Sequence, residues 1–242
     1  MATTNADSEP AGNSLSRGSA LEQLPPRDTT TLVRTVRDRL RLAIALAEIP
    51  DGKLNQVQVA RQLGVSRMPI RAAIPELVAE GLLESLPGGG VAVRPLTETD
   101  VRQVYEVRLA LESQAVRSAA EHGSDWNLRQ IQTIVDTHGR AFASYDAAKL
   151  LAADREFHMA ILSASQNQHY QRSIVPVWSI VERAMVSVLH ITTVFDNAWT
   201  EHAEIAGPLC DRDPDAAEAA IRRHLGDAAE KLVTSLAATI EA

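Results

Sequence analysis

From Thr31 onward the apolar positions fall at helical spacing. Val33, Val36, Leu40, Ala43, Ile44 and Ala47 share one face of a helix that begins after Thr29–Thr31. Pro50-Asp51-Gly52 stops it as a turn. Asn55 is a good cap for a short second helix over 56–63, which Gly64 ends. Ser66 caps a third helix running to about Glu80, with Gly81 as its stop. Two short apolar runs, 82–86 and 91–94, flank Pro87-Gly88-Gly89-Gly90 and predict a small β-hairpin. Helix, helix, tight turn, helix, hairpin is the order of a winged helix-turn-helix.

After Pro95 the pattern is helical throughout. Residues 95–98 read as a linker, and Thr97 with Asp100 forms a loose capping box. Helices are predicted near 98–122, 125–144, 147–165, 169–190, 197–211 and 214–241, with turn or cap residues between them. Six such helices without a strand pattern make an antiparallel all-α bundle. Residues 1–30 show no periodicity and are rich in Ala, Ser, Thr, Asn, Gly and Pro, which predicts a disordered tail. The expected fold is mostly α in three parts: the tail (1–30), a winged helix-turn-helix (31–95) and a helical bundle (96–242).

Composition changes this picture little until the charge is divided. Of 242 residues, 45% are apolar and 23% charged, as in ordinary soluble domains. The single cysteine, Cys210, excludes an intramolecular disulfide framework and a Cys-based zinc cluster, and reads as buried filler. No apolar stretch is long enough to span a membrane, and Met1–Leu24 lacks a signal-peptide pattern, so a cytoplasmic protein is expected. The net charge of −7 argues, taken whole, against nucleic acid as a partner. Divided, it is +3 over 31–95, −8 over 96–242 and −2 in the tail. The positive charge therefore lies in the helix-turn-helix segment.

Arg67 and Arg71 stand at i and i+4 at the start of the third helix, the end that such a helix presents to base edges. Arginine can bond guanine O6 and N7 with two parallel bonds. Arg34, Arg37 and Arg41 share part of a face on the first helix and suit phosphate contacts. Alone, such a pair is equally a solvated helix face. The elements around it point to DNA.

All seven histidines follow residue 121. His158 lies on a stripe with Leu151, Asp154, Ile161 and Leu162. His202 lies with Trp199, Ile205 and Leu209, and His224 with Ile221, Leu225, Ala228 and Leu232. Each alone fits a satisfied core histidine. Asp154 is different, because a carboxylate on an inward stripe is costly to bury unpaired and i,i+4 spacing aims it at the same spot as His158. One Asp and three His from three helices can form a transition-metal site. An H-E-x-x-H motif, a Gly-rich phosphate loop and a nucleophile motif are all missing.

The stretch Leu54 to Val93, with Leu63-Gly64-Val65-Ser66-Arg67-Met68-Pro69-Ile70-Arg71 and Glu80-Gly81-Leu82-Leu83, resembles the winged helix-turn-helix of the GntR family. The resemblance implies a transcriptional regulator that binds a palindromic operator in double-stranded DNA as a homodimer. The expected DNA-contacting set is Arg34, Arg41, Ser66, Arg67, Met68, Arg71 and Gly88. Three departures stand out. Val57 occupies a position often basic in the family. The wing tip carries three glycines in place of basic residues or histidine. Pro75 lies inside the third helix, where a kink or early loosening is expected.

Asp154-Arg155-Glu156-Phe157-His158, Ser163–Asn167, Glu201-His202-Ala203-Glu204-Ile205 and Arg222-Arg223-His224-Leu225 resemble the FCD effector domain of the FadR subfamily, over roughly 97–236. This resemblance implies a divalent transition metal, zinc or nickel-like, held by Asp154, His158, His202 and His224. It also implies a small organic acid as effector and places Arg108 in its cavity. The subfamily's fatty acyl-CoA sensor lacks this histidine set, so that ligand is not expected. A bundle salt bridge of Arg108 with Glu106 or Glu112 is the competing reading. His122, His138, His169 and His190 match no motif, and Trp178 reads as core or dimer surface rather than pocket wall. The expected function is a ligand-responsive repressor and not an enzyme, with a metal-dependent hydrolase or a direct metal sensor as alternatives.

Overall fold

The computed structural model describes residues 29–141, 146–188 and 192–240. The expected N-terminal tail lies outside these residues except for Thr29 and Thr30, which already belong to the first helix; His190 also lies outside them.

The N-terminal module runs α1 (Thr29–Ala45), β1 (Gly52–Lys53), α2 (Gln56–Gln62), α3 (Arg67–Ala79), β2 (Leu83–Ser85) and β3 (Val91–Val93). Its core is Val36, Leu40 and Ile44 of α1 against Ile70, Ala73 and Leu77 of α3 and Leu82 beyond it, all nearly inaccessible. Asn55 caps α2 as expected, its side chain accepting from the Gln58 amide at 3.1 Å. Ser66 stands at the α3 cap position, but its hydroxyl makes no cap bond.

The sheet has three strands, not two. β3 lies in the centre, antiparallel to β2 on one side and to β1 on the other, with Gly52 opposite Val93. Two residues of Gly and Lys carry no period, so β1 left no trace in the pattern. The wing between β2 and β3 turns on Gly88, Gly89 and Gly90 at φ +87°, +98° and +92°, a conformation that disfavours any side chain. Pro75 neither ends nor loosens α3, which continues to Ala79. The proline ring is exposed, and buried Ala73 and Leu77 on either side hold the turn against the one lost hydrogen bond.

The C-terminal module is a six-helix bundle among the described residues: α4 (Glu98–His122), α5 (Asp125–Ala141), α6 (Ala147–Ala164), α7 (Gln168–Val188), α8 (Thr192–Cys210) and α9 (Pro214–Ile240). The capping box is present in full. Thr97 Oγ1 accepts from the Asp100 amide at 3.1 Å, and the Asp100 carboxylate accepts from the Thr97 amide at 3.0 Å. α4 and α9 form the most extensive helix pair, with α6, α7 and α8 packed against it and α5 packed on α6 and α8. α8 starts five residues earlier than its sequence pattern suggested. Cys210 is exposed at the end of α8 rather than buried, because it lies on the outer side of a last turn whose Leu209 faces the core. No described helix is long and apolar enough to cross a membrane.

Candidate metal centre and DNA-facing surface

Three helices bring four ligand-type side chains into one region, three histidines clustered together and Asp154 beside two of them. α6 supplies Asp154 and His158 one turn apart, α8 supplies His202, and α9 supplies His224. One ring nitrogen from each histidine lies within 4.8 Å of the others. Asp154 Oδ1 is 3.8 Å from His158 Nε2 and 3.6 Å from His202 Nε2. All four residues are buried. Phe157 stacks on the His202 ring at 4.2 Å between centroids, and Trp199 meets the same ring edge-on at 4.8 Å.

Two carboxylates fix the outer nitrogens. His158 Nδ1 lies 2.6 Å from Glu112 Oε2, and His224 Nδ1 lies 2.7 Å from Glu201 Oε2. Facing carboxylates, both Nδ1 atoms carry the proton and donate, which leaves Nε2 as the free ligand nitrogen. Lys231 Nζ also donates to Glu201, at 3.0 Å.

Whether these residues suit a cation is tested by the atoms left without partners. His158 Nε2, both ring nitrogens of His202 and Asp154 Oδ2 are buried without a hydrogen bond. Buried polar atoms normally find partners, and four in one place need an explanation. Burial pushes the His202 pKa well below the ordinary histidine value, and His224 and His158 nearby push it further. Burial lowers His224 too, against the pull of Glu201. Neutral imidazole is the form that binds metal. Three imidazole nitrogens, with the Asp154 carboxylate beside two of them, are a donor set that suits a divalent transition metal.

Arg108, on α4, is 2% exposed. Its Nε donates to Glu112 Oε1 at 2.7 Å, so the bundle salt bridge anticipated for it exists. Its Nη2, however, is buried with no partner. The guanidinium lies 4.9 Å from the Tyr105 ring and 4.7 Å from the Trp178 ring. Burial opposes its charge, but Glu112, Tyr105 and Asp154 outweigh that and raise its pKa. Burial likewise opposes the Glu112 charge, and Arg108 and His158 hold its pKa down at about 2. A cavity of about 50 Å³ opens between Tyr105, Arg108, Asp154, Met185, His224 and Lys231. Trp178 is core as expected, yet it also backs the site, 5.6 Å from the His158 ring.

The four ligand candidates and Arg108 are thus brought together. Glu201, Lys231 and Tyr105 were not singled out from sequence, and Glu112 only as a salt-bridge partner. Its i+4 position from Arg108 was the available signal.

On the other module, Arg67, Met68 and Arg71 are exposed at the start of α3, Met68 at 70%. Neither arginine has a hydrogen bond or ion pair among the described residues. Arg34 is likewise exposed and unpaired on α1. Arg41 departs from its expected phosphate role. Its guanidinium is bonded to Glu80 at 2.9 and 2.5 Å and to Asp38 at 2.9 Å, in a cleft that also contains Arg155 and Glu182 of the bundle. A phosphate contact would have to break those bonds. Arg37 is similarly tied to Glu76 and Asp38.

Residues 32–93 match the bacterial regulatory proteins of the gntR family, and residues 103–227 match the FCD domain. The "Probable D-xylose utilization operon transcriptional repressor" of Paenarthrobacter nicotinovorans is 30% identical over 200 residues, covering 81% of this chain and 86% of that protein. The Nta operon transcriptional regulator of Aminobacter aminovorans is 28% identical over 184 residues, covering 76% and 86%. Among solved structures, E. coli McbR/YncC shares the fold with a TM-score of 0.74 at 19% identity, over 85% of this chain and 98% of that one. The two curated relatives are transcriptional regulators and not enzymes, as is the family whose model matches. With a DNA-binding module followed by an FCD domain, the chain belongs to the GntR family of bacterial transcriptional regulators.

Proposed function

We propose that this regulator is a repressor whose hold on a palindromic operator is set by a small carboxylate bound at a metal-containing pocket. The observation that carries this reading is the set of buried, partnerless polar atoms in and beside one small cavity: Asp154 Oδ2 and Arg108 Nη2 on residues that line it, and His158 Nε2 and the His202 ring nitrogens on residues next to Asp154. Asp154, His158, His202 and His224 would hold a divalent metal, zinc foremost with nickel as the alternative. The metal, when bound, offers open positions to anionic oxygens. Arg108 supplies a fixed, always-charged N–H for a carboxylate oxygen. Glu112 already occupies its Nε edge, which leaves Nη2 free. The small cavity favours a compact acid.

On the DNA side, Arg67 and Arg71 would read base edges in the major groove. Ser66, Met68 and Arg34 would contact backbone or neighbouring bases, and Gly88 would let the wing backbone approach closely. A homodimer in the cytoplasm supplies two such modules for two half-sites.

The test is binding by anisotropy to DNA flanking the protein's own gene, with zinc present, before and after a screen of small organic acids. Salt-dependent binding that one acid shifts by about fivefold or more fits the usual range of coupling. Binding that no acid alters, in protein holding one zinc per chain, would favour a direct metal sensor.

A further inference from the structure

The two modules meet on α7, where consecutive residues reach in different directions. Arg183 donates through one terminal guanidinium nitrogen to the carbonyl of Arg94, just past β3. Through the other it donates to the carboxylate of Asp51, in the turn before β1. It therefore grips the strand pair β1–β3 from the bundle side, with its side chain 11% exposed. Glu182, also buried, accepts from Arg155 Nη1 at 3.3 Å. Arg155 directly follows Asp154 on α6. Three residues beyond Glu182, Met185 forms part of the pocket wall. Three residues within one turn of α7, Glu182, Arg183 and Met185, thus touch the candidate ligand helix α6, the sheet of the DNA-binding module and the pocket.

We propose that Arg183 is the link through which occupancy of the pocket reaches the DNA-binding module. This inference rests on the pocket reading above and names the route of its regulation. A metal that fixes Asp154 and His158 fixes α6 one residue from Arg155, and Arg155 holds Glu182. The next residue on α7 clamps the sheet whose hairpin is the wing. A forked, largely buried arginine bond transmits displacement better than an exposed ion pair, which solvent and side-chain entropy make soft. A competing route exists. Arg94 donates to Asp100 at 2.5 Å and so ties the same strand to α4, which carries Arg108. Substituting Arg183 leaves that tie in place, so the two routes can be separated.

Hydrogen exchange read by mass spectrometry on the full chain, stripped by chelator and then given Zn²⁺ alone, tests the link. In the unaltered protein zinc should slow exchange in 154–158 and around His224, and also in 91–94, the latter by about fivefold or more. In Arg183→Gln the pocket segments should keep their protection while 91–94 no longer respond. Asp51→Asn, in a half-exposed turn outside α7, should give the same loss and guards against a folding defect. An unchanged zinc response of 91–94 in both variants would overturn the link. So would an unaltered protein whose pocket responds while 91–94 does not, and in either case the pocket reading stands. Absence of protection in the pocket segments themselves would remove that reading and this inference with it.

Discussion

Glu112 joins the two halves of the pocket, since one carboxylate holds both His158 Nδ1 and Arg108 Nε. Removing its charge loosens a ligand and leaves a buried arginine uncompensated. In Glu112→Gln, zinc affinity should fall about 10–100-fold by competition titration, as for other partners of metal-bound histidine. The melting temperature should fall as well, because a broken buried ion pair costs about 3–5 kcal/mol. Unchanged zinc affinity would mean that Glu112 serves packing alone. On the DNA side, Arg67→Ala should cost about 1–3 kcal/mol against the specific site and relax the preference at one base position. Arg34→Ala should instead weaken all sequences alike and reduce the salt slope by about one. Similar losses on specific and random DNA for Arg67→Ala would move it from base to phosphate.

Two elements carry unusual local chemistry. The start of α4 depends on Asp100, which completes the capping box and receives Arg94. Burial works against its charge, but Thr97 and Arg94 outweigh this and hold its pKa below 3.8. A depressed carboxylate stabilises the fold above its unfolded pKa and loses that contribution as pH falls toward the folded one. Asp100→Asn should therefore cost about 1 kcal/mol at pH 7 by denaturant unfolding, and the difference from the unaltered protein should shrink below pH 3.8. A gap that persists there would assign the effect to packing. In α3, Pro75 is an exposed interruption that tertiary contacts overcome. Pro75→Ala should raise stability by about 1–2 kcal/mol, the helix gain being partly offset by a freer unfolded chain. No gain would mean the helix has already adapted around the ring.

At the scale of the whole molecule, a basic DNA-binding module is joined to an acidic FCD module, and the joint is made of arginines. Arg41 shows why the sequence could not assign this. On α1 it shares a face with Arg34, and spacing alone made both phosphate contacts. Only the packing of α3 and the bundle brings Glu80 to Arg41 and leaves Arg34 in solvent. β1 was invisible for a related reason: two residues have no period, and pairing with β3 is a long-range event. The order of elements, the capping box and the Asp154–His158 pair were legible because each is written in local spacing, at i,i+3 or i,i+4 on a helix or as a Gly-Pro break, whereas grouping that pair with His202 and His224 rested on the family resemblance. The sequence by itself determined most of the helix faces that turn inward and the chemistry they carry, though not the exposure of Cys210 at the end of α8. The tertiary structure alone decided which charges meet across the chain: Glu112 with His158, Glu201 with His224, Arg183 with Asp51. Those pairs are 46, 23 and 132 residues apart, and no local period records a contact at that distance.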